Sequence, residues 1–220
     1  AAPTPILPAE ELYAKGESDL ERRVYEEARL SFRKIVERHP ISSYTARARF
    51  LVGKAYYRQA DLPKALKEFE TFLSFYPRHQ IADLVQHRLA TAYYDQMKPV
   101  EQDQGLTSKA LEHFRKLVKE YPESRYATDA LAKIDICRGR LAQKELWVAN
   151  YYLVNQGNPG AARQRLELVL REFPRTLVIP ETLWLLAEVA NREGKSQEAE
   201  ALLQRLSTDF LFTEFGRRAS

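Results

Sequence analysis

Three side chains that can ligate a metal or move a proton, His79, Asp83 and His87, stand at i, i+4 and i+8. That spacing places all three on one face of a helix. Imidazole and carboxylate donors at such intervals do occur in metal sites, but a closed site needs a further ligand, and none is evident nearby. An ordinary polar or groove-facing stripe is therefore the expectation. The other two histidines, His39 and His113, are isolated, and no HExxH, CxxC, phosphate-loop or GxSxG pattern is present. Cys137 is the single cysteine, so no intrachain disulfide can form. Flanked by Ile134 and Ile136, it reads as a buried structural thiol rather than a nucleophile. No nucleophile–base pair or metal constellation is visible, so the sequence points away from an enzyme, a cofactor or a bound metal.

The elements that carry these residues are helical. The chain has 220 residues, 45% hydrophobic and 29% charged, with only eight glycines. Long stretches rich in Ala, Leu, Glu, Lys, Arg and Gln favour helix, and no alternating run argues for a strand. The net charge is +4, but basic and acidic residues are interspersed, as in RKIVER and RKLVKE. Solvated helix faces are expected, not a nucleic-acid surface. No apolar run approaches the ~20 residues that cross a bilayer. The opening AAPTPILPAE lacks the basic and apolar regions of a signal peptide. Its prolines predict an extended tether over 1–8.

One pattern recurs: a small residue, Tyr, Ala, Phe or Leu, then Pro. Its clearest copy is Gly53, Tyr56, Ala65, Phe69, Pro77. The others are Gly16, Asp19, Ala28, Phe32, Pro40; Ala90, Tyr93, Ala110, Phe114, Pro122; Ala149, Tyr152, Ala162, Leu166, Pro174; and Ala187, Ala190, Ala199, Leu203, with Leu211 in place of Pro. This is the skeleton of a tetratricopeptide repeat. Small residues let two helices approach, and the Phe or Leu one turn after Ala fills the gap between them. The Pro ends the second helix. The predicted fold is all-α, a tetratricopeptide-repeat solenoid of five helical hairpins. Residues 98–106 insert a loop inside the third hairpin. Segment 124–156 predicts one long helix or two consecutive ones between repeats three and four. The expected divisions are the tether 1–8, an N-terminal half 9–122, a C-terminal half 123–209 and a tail 210–220.

Ser43, Ser124 and Thr176 follow the repeat prolines and are expected to cap the next helix. Asp61 and Asn158, each just before a proline-bearing first turn, are expected to do the same. The Tyr pairs at 56–57, 93–94 and 151–152 either complete the core or turn one ring to a groove. Trp147 and Trp184 are expected in the core. The tail, with Phe210, Leu211, Phe212 and Phe215, either covers the last apolar face or forms a docking patch. The aromatic spacing of the first helices predicts an N-terminal groove lined by Tyr13, Phe50, Tyr57, His87 and Tyr94, suited to an apolar-aromatic peptide.

Several stretches go beyond the generic repeat. KAYYRQADLPKAL (54–66), YPESRYATDALAK (121–133) and RLAQKELWVANYYL (140–153) resemble signatures of the BamD family, lipoproteins of the outer-membrane β-barrel assembly machine. LYAKG (12–16), VYEEA (24–28), the DQ at 103–104 and REFPRT (171–176) also fit. The resemblance runs from residue 11 to about 207. Leu84 and His87 depart from it, standing where Tyr is common in the family. It implies a scaffold on the periplasmic face of the outer membrane. The partners it implies are the periplasmic domains of the barrel-inserting subunit, other assembly lipoproteins and unfolded outer-membrane proteins. It also implies membrane attachment through a lipidated N-terminal Cys absent from this chain, which begins at Ala1. From the matching RLA-x-x-E stretch, Arg140 and Glu145 carry over as charged contacts to the barrel subunit; the alternative is that they pair within the helix region. A different periplasmic adaptor, linked to peptidoglycan or other envelope proteins, stays open. A cytosolic co-chaperone fits less well, because its carboxylate clamp uses Asn in the first repeats and the only Asn here are 150, 155, 158 and 191.

Overall fold

Helix pairs joined by tight turns account for most of the chain. A computed structural model describes residues 5–220. Among these residues there are eleven helices and no strand. The elements are α1 (Ala9–Glu21), α2 (Tyr25–Arg38), α3 (Thr45–Arg58), α4 (Leu62–Phe75), α5 (Ala82–Tyr94) and α6 (Gly105–Glu120). They continue with α7 (Ala127–Val154), α8 (Pro159–Glu172), α9 (Ile179–Arg192), α10 (Ser196–Asp209) and α11 (Glu214–Ala219). Of the tether, residues 1–4 lie outside the described residues, and 5–8 are non-helical. The Leu7 carbonyl there accepts from His39 Nε2 at 2.9 Å.

The chain forms two compact units. The first is Ala1–Gln96 with Glu112–Leu131; the second is Met97–Leu111 with Ala132–Ser220. The expected cut between the two halves lies at 122; in the structure the inserted loop groups with the second unit and the later boundary falls within α7, after Leu131. Gln104, 7% exposed, organises that loop. Its Nε2 donates to the carbonyls of Lys98 (3.3 Å), Pro99 (2.8 Å) and Gln102 (3.2 Å), while its Oε1 accepts from the buried Thr107 hydroxyl at 2.7 Å. A single helix, α7, occupies 28 residues of the long connecting region.

In the first unit the repeat positions meet as their sizes require. A Cβ placed on Gly16 would lie 2.6 Å from the Phe32 ring, and one on Gly53 would lie 2.7 Å from the Phe69 ring. Only glycine admits the ring so close to the facing helix. Ala28, Ala65, Phe32 and Phe72 are fully buried, with Ile35, Val85 and Leu89 around them. Burying each such ring is worth about 2–3 kcal/mol in transfer free energy. The second unit builds its core from Leu146, Leu153, Leu166, Leu183, Leu186 and Leu206, with Ala142, Ala149 and Ala162 at the close approaches.

Four hairpin turns share one backbone device. Arg23, Ala60, Gly157 and Gly194 all have positive φ, between 56° and 75°. The next N–H in each case reaches back to the carbonyl of Asp19, Tyr56, Tyr152 or Ala190, at 2.8–3.0 Å. The bond spans five residues at Arg23, Ala60 and Gly194, a Schellman-type end, and six at Gly157; in each case the acceptor is the residue at the Tyr position of the repeat. Arg23 and Ala60 adopt this conformation without glycine, so the turn is invisible to a search for Gly.

The caps are mixed. Asp61 accepts from the Lys64 N–H at 3.4 Å and Asn158 from the Ala161 N–H at 3.0 Å. Ser124 accepts from the Tyr126 N–H at 3.1 Å. Ser43 does not cap; Ser42 instead accepts from the Tyr44 N–H at 3.2 Å. Thr176 turns its hydroxyl backwards to donate to the Phe173 carbonyl at 2.9 Å, leaving α9 without a side-chain cap. The tail forms α11, whose Phe215 ring lies 6.1 Å from Trp184. Phe210 and Phe215 pack on the second core, whereas Phe212 is 95% exposed.

Candidate partner-binding surfaces

In the first unit, α1, α3 and α5 carry the aromatic residues expected to line a groove. Tyr13 is half-buried, its ring 4.8 Å from Tyr44 and 5.9 Å from Phe32. Burial, then the neighbouring Glu17 carboxylate, raises its phenol above the ordinary value. Tyr57 is half-buried and donates to the Asp95 carboxylate. Burial, assisted by Asp95, pushes its pKa up to about 12, so it stays a neutral donor at physiological pH. Tyr94 sets its ring edge against Phe114 at 6.1 Å. These three rings keep part of their surface in solvent.

Phe50 and His87 are corrections to the groove-lining expectation. Phe50 is only 7% exposed and packs 5.9 Å from Phe69. His87 is 8% exposed. Its ring stacks on Tyr126 at 4.8 Å, meets Phe114 edge-on at 6.1 Å, and its Nε2 lies 2.6 Å from the Asp129 carboxylate. Each lies seven residues before an exposed ring, Phe50 before Tyr57 and His87 before Tyr94, and so on nearly the same helix side; both are buried because neighbouring rings cover them, Phe69 at Phe50 and Phe114 with Tyr126 at His87. The stripe of His79, Asp83 and His87 is likewise divided among separate tasks. His79 Nδ1 accepts from the Ile81 N–H at 3.2 Å, and Asp83 accepts from the Ser124 hydroxyl at 2.7 Å.

The Tyr pairs split between the two readings. Tyr56 is 8% exposed, with the Arg29 guanidinium 4.3 Å over its ring and Arg33 donating to its hydroxyl at 2.9 Å. Tyr93 stacks on His113 at 5.2 Å and donates to Glu70 at 3.1 Å. Both members of the third pair differ in their fate: Tyr152 packs on the second core, whereas Tyr151 is 44% exposed.

In the second unit, Arg140 donates to the Lys98 carbonyl at 2.5 Å, and Lys144 donates to the Glu101 carbonyl at 3.1 Å. The two cations fasten the inserted loop to α7. Arg140 also lines a cavity of about 630 Å3 with Arg138, Arg175, Ile136 and Leu177. Glu145 pairs with Arg165 at 3.1 Å. Arg140 and Glu145 thus engage different partners within this unit. Cys137 is fully buried, and burial raises its thiol to about 11.

The sequence marks Gln104 only through the DQ at 103–104, without the loop-organising role its amide has. Trp147 was expected in the core, yet it is 40% exposed. The phase of α7 is fixed by Ala142, Leu146, Ala149 and Leu153, all buried, and Trp147 falls on the opposite side. The helical wheel contained that signal.

Comparison with known proteins adds the family. A structure of a tetratricopeptide repeat protein from Parabacteroides merdae matches with a TM-score of 0.50 and 20% identity, covering 91% of this chain and 79% of that one; this likeness shows the fold alone. "Outer membrane protein assembly factor BamD" of Caulobacter vibrioides is 34% identical over 193 residues, 88% of this chain. The same-named protein of Rickettsia prowazekii is 28% identical over 89% of it. The chain spans 63% of the Caulobacter protein's length and 77% of the Rickettsia protein's. The family model described as "YfiO: Outer membrane lipoprotein" matches residues 6–206. With nearly the whole chain matched, and helical hairpins throughout that span, the chain belongs to this outer membrane lipoprotein family.

Proposed function

We propose that the chain is a non-enzymatic scaffold of outer-membrane β-barrel protein assembly, working at the periplasmic face of the outer membrane. The observation that carries this reading is the match to relatives named as outer membrane protein assembly factors across 88% of the chain. Helical hairpins suit the role because they present side chains from successive helices to an extended or helical segment.

In this reading the second unit receives the periplasmic domains of the barrel-inserting subunit, through the α7 region that contains Arg140. The first unit receives apolar-aromatic segments of unfolded barrel proteins on Tyr13, Tyr57 and Tyr94, with Phe50 and His87 supporting those rings from below. Other assembly lipoproteins complete the set of partners, and a lipidated Cys anchors the mature protein. Affinity capture from solubilised outer membranes tests this. Recovery of a large barrel protein with tandem periplasmic domains is expected. Recovery of peptidoglycan-linked proteins in its place would favour a different envelope adaptor. Arg140→Glu should reduce that recovery, and undiminished recovery would remove Arg140 from the contact.

A further inference from the structure

The outer face of α7 carries a stripe that its packing on the second core does not use. Arg140, Lys144, Trp147 and Tyr151 follow one another at i, i+4, i+7 and i+11, so they share one side of the helix over about 16 Å. The opposite side, Ala142, Leu146, Ala149 and Leu153, is the side buried in the second core. Trp147 and Tyr151 are 40% and 44% exposed. Their rings stack 6.3 Å apart, tilted by only 16°, and the Lys144 ammonium sits 4.6 Å over Trp147. Gln156 holds the Tyr151 hydroxyl at 3.1 Å. The ladder is thus held in place before any partner arrives.

Among the described residues the cations at the other end form no ion pair. Arg140 and Lys144 donate to neutral backbone carbonyls, and neither has a carboxylate partner among the described residues. Glu145, beside Lys144, is committed to Arg165, and Asp135 lines the cavity with Arg140 without pairing with it. Two cations at one end and two preorganised aromatic rings at the other form a directional surface. Trp, Tyr and Arg are the residue types that dominate binding energy at protein interfaces.

We infer that this stripe is a docking site for a polypeptide segment that carries carboxylates followed, a turn or so later, by bulky apolar side chains. A lipid surface is the weaker fit. Membrane-surface helices combine a broad apolar face with a cluster of basic residues, whereas this stripe has two rings and two cations, one of which is folded back over an indole. The inference rests on the scaffold reading only in taking the occupant to be a polypeptide.

The probe is a labelled helical peptide bearing two Glu one turn apart and two Leu on the next turns of the same face. Fluorescence anisotropy with the full chain should show saturable binding that weakens as salt is raised. The doubly substituted Trp147→Ala/Tyr151→Ala protein should bind at least about tenfold more weakly, with helicity unchanged by circular dichroism because both side chains are exposed. Replacing the two Glu of the peptide with Gln should weaken binding to the unaltered chain, and Lys144→Glu should do so as well. Absence of saturable binding would overturn the inference, as would equal binding by the double variant. Vesicles containing phosphatidylglycerol form the second arm: binding of vesicles, but not peptide, that is lost in the double variant would assign the stripe to lipid and also overturn it. The scaffold reading fails separately, when affinity capture returns no barrel protein. Peptide binding without such capture would keep the stripe and discard the proposed partner.

Discussion

The two units solve the same packing problem with different volumes. In the first, the ring positions Phe32 and Phe69 face Gly16 and Gly53, whose missing Cβ atoms leave the space the rings fill. In the second, the corresponding residue is Leu166, and Ala149 stands where the glycine stood, both fully buried. In these three copies the large partner grows as the small one shrinks, whereas the third copy, with Ala90 and Phe114 both fully buried, keeps the ring without the glycine. A second contrast concerns polar groups. The first unit ties its exposed phenols to acids, Tyr57 to Asp95 and Tyr93 to Glu70. The second unit concentrates charge in one ion cluster, with Arg163 bound to Glu193 at 2.7 Å and to Glu198 at 2.6 Å, and leaves Trp147 and Tyr151 outside.

The largest effect should come from emptying the ring site. Phe69→Ala should cost about 3–5 kcal/mol of stability, measured by chemical denaturation; a loss below about 1 kcal/mol would mean that the ring is not a packing element. Gly53→Ala should cost about 1–3 kcal/mol by overpacking. The pair should then be coupled: Gly53→Ala with Phe69→Leu, which imports the volumes of the second unit, should be less destabilised than the sum of the single changes. Simple additivity would show that the two positions do not trade volume.

The ion cluster gives a smaller, pH-dependent effect confined to the second unit. The Arg163 guanidinium holds the carboxyls of Glu193 and Glu198 below their ordinary value of 4.5. A depressed acid stabilises the fold above its unfolded value and loses that contribution as pH falls through the folded one. Stability should therefore decline as pH drops below about 4.5, and Arg163→Met should flatten that decline while lowering stability at neutral pH. An unchanged acid profile would show that the cluster contributes nothing measurable. Smallest of all is the thiol: with burial raising Cys137 to about 11, its modification by a thiol reagent at neutral pH should be far slower than in denaturant. Equal rates would place the thiol at the surface.

Much of this fold was legible because tetratricopeptide packing is written in side-chain volume. Gly16, Phe32, Gly53 and Phe69 are readable as size alone, and Asp61 and Asn158 as caps because a proline follows each. What escaped was set by backbone conformation or helical phase. Arg23 and Ala60 take left-handed turns without glycine. Ser42 displaces Ser43 as the accepting hydroxyl, a one-residue matter of geometry. Gln104 stands out only as part of the DQ pair, and nothing in the sequence tells that its amide gathers three carbonyls. Phe50, His87 and Trp147 show the limit of residue type as a guide to exposure: Trp147 is placed by the turn of its helix, whereas Phe50 and His87 are covered by rings from other elements.

The division of labour between the units is tested most directly by amide hydrogen exchange on the full chain with two ligands in turn. One is the tandem periplasmic domains of a barrel-inserting subunit, the other a C-terminal peptide of a barrel protein. The account predicts that the domains slow exchange in 97–104 and in the part of α7 after residue 132, while the peptide slows exchange in α1, α3 and α5. Protection of the same segments by both ligands, or of the first unit by the domains, would contradict it.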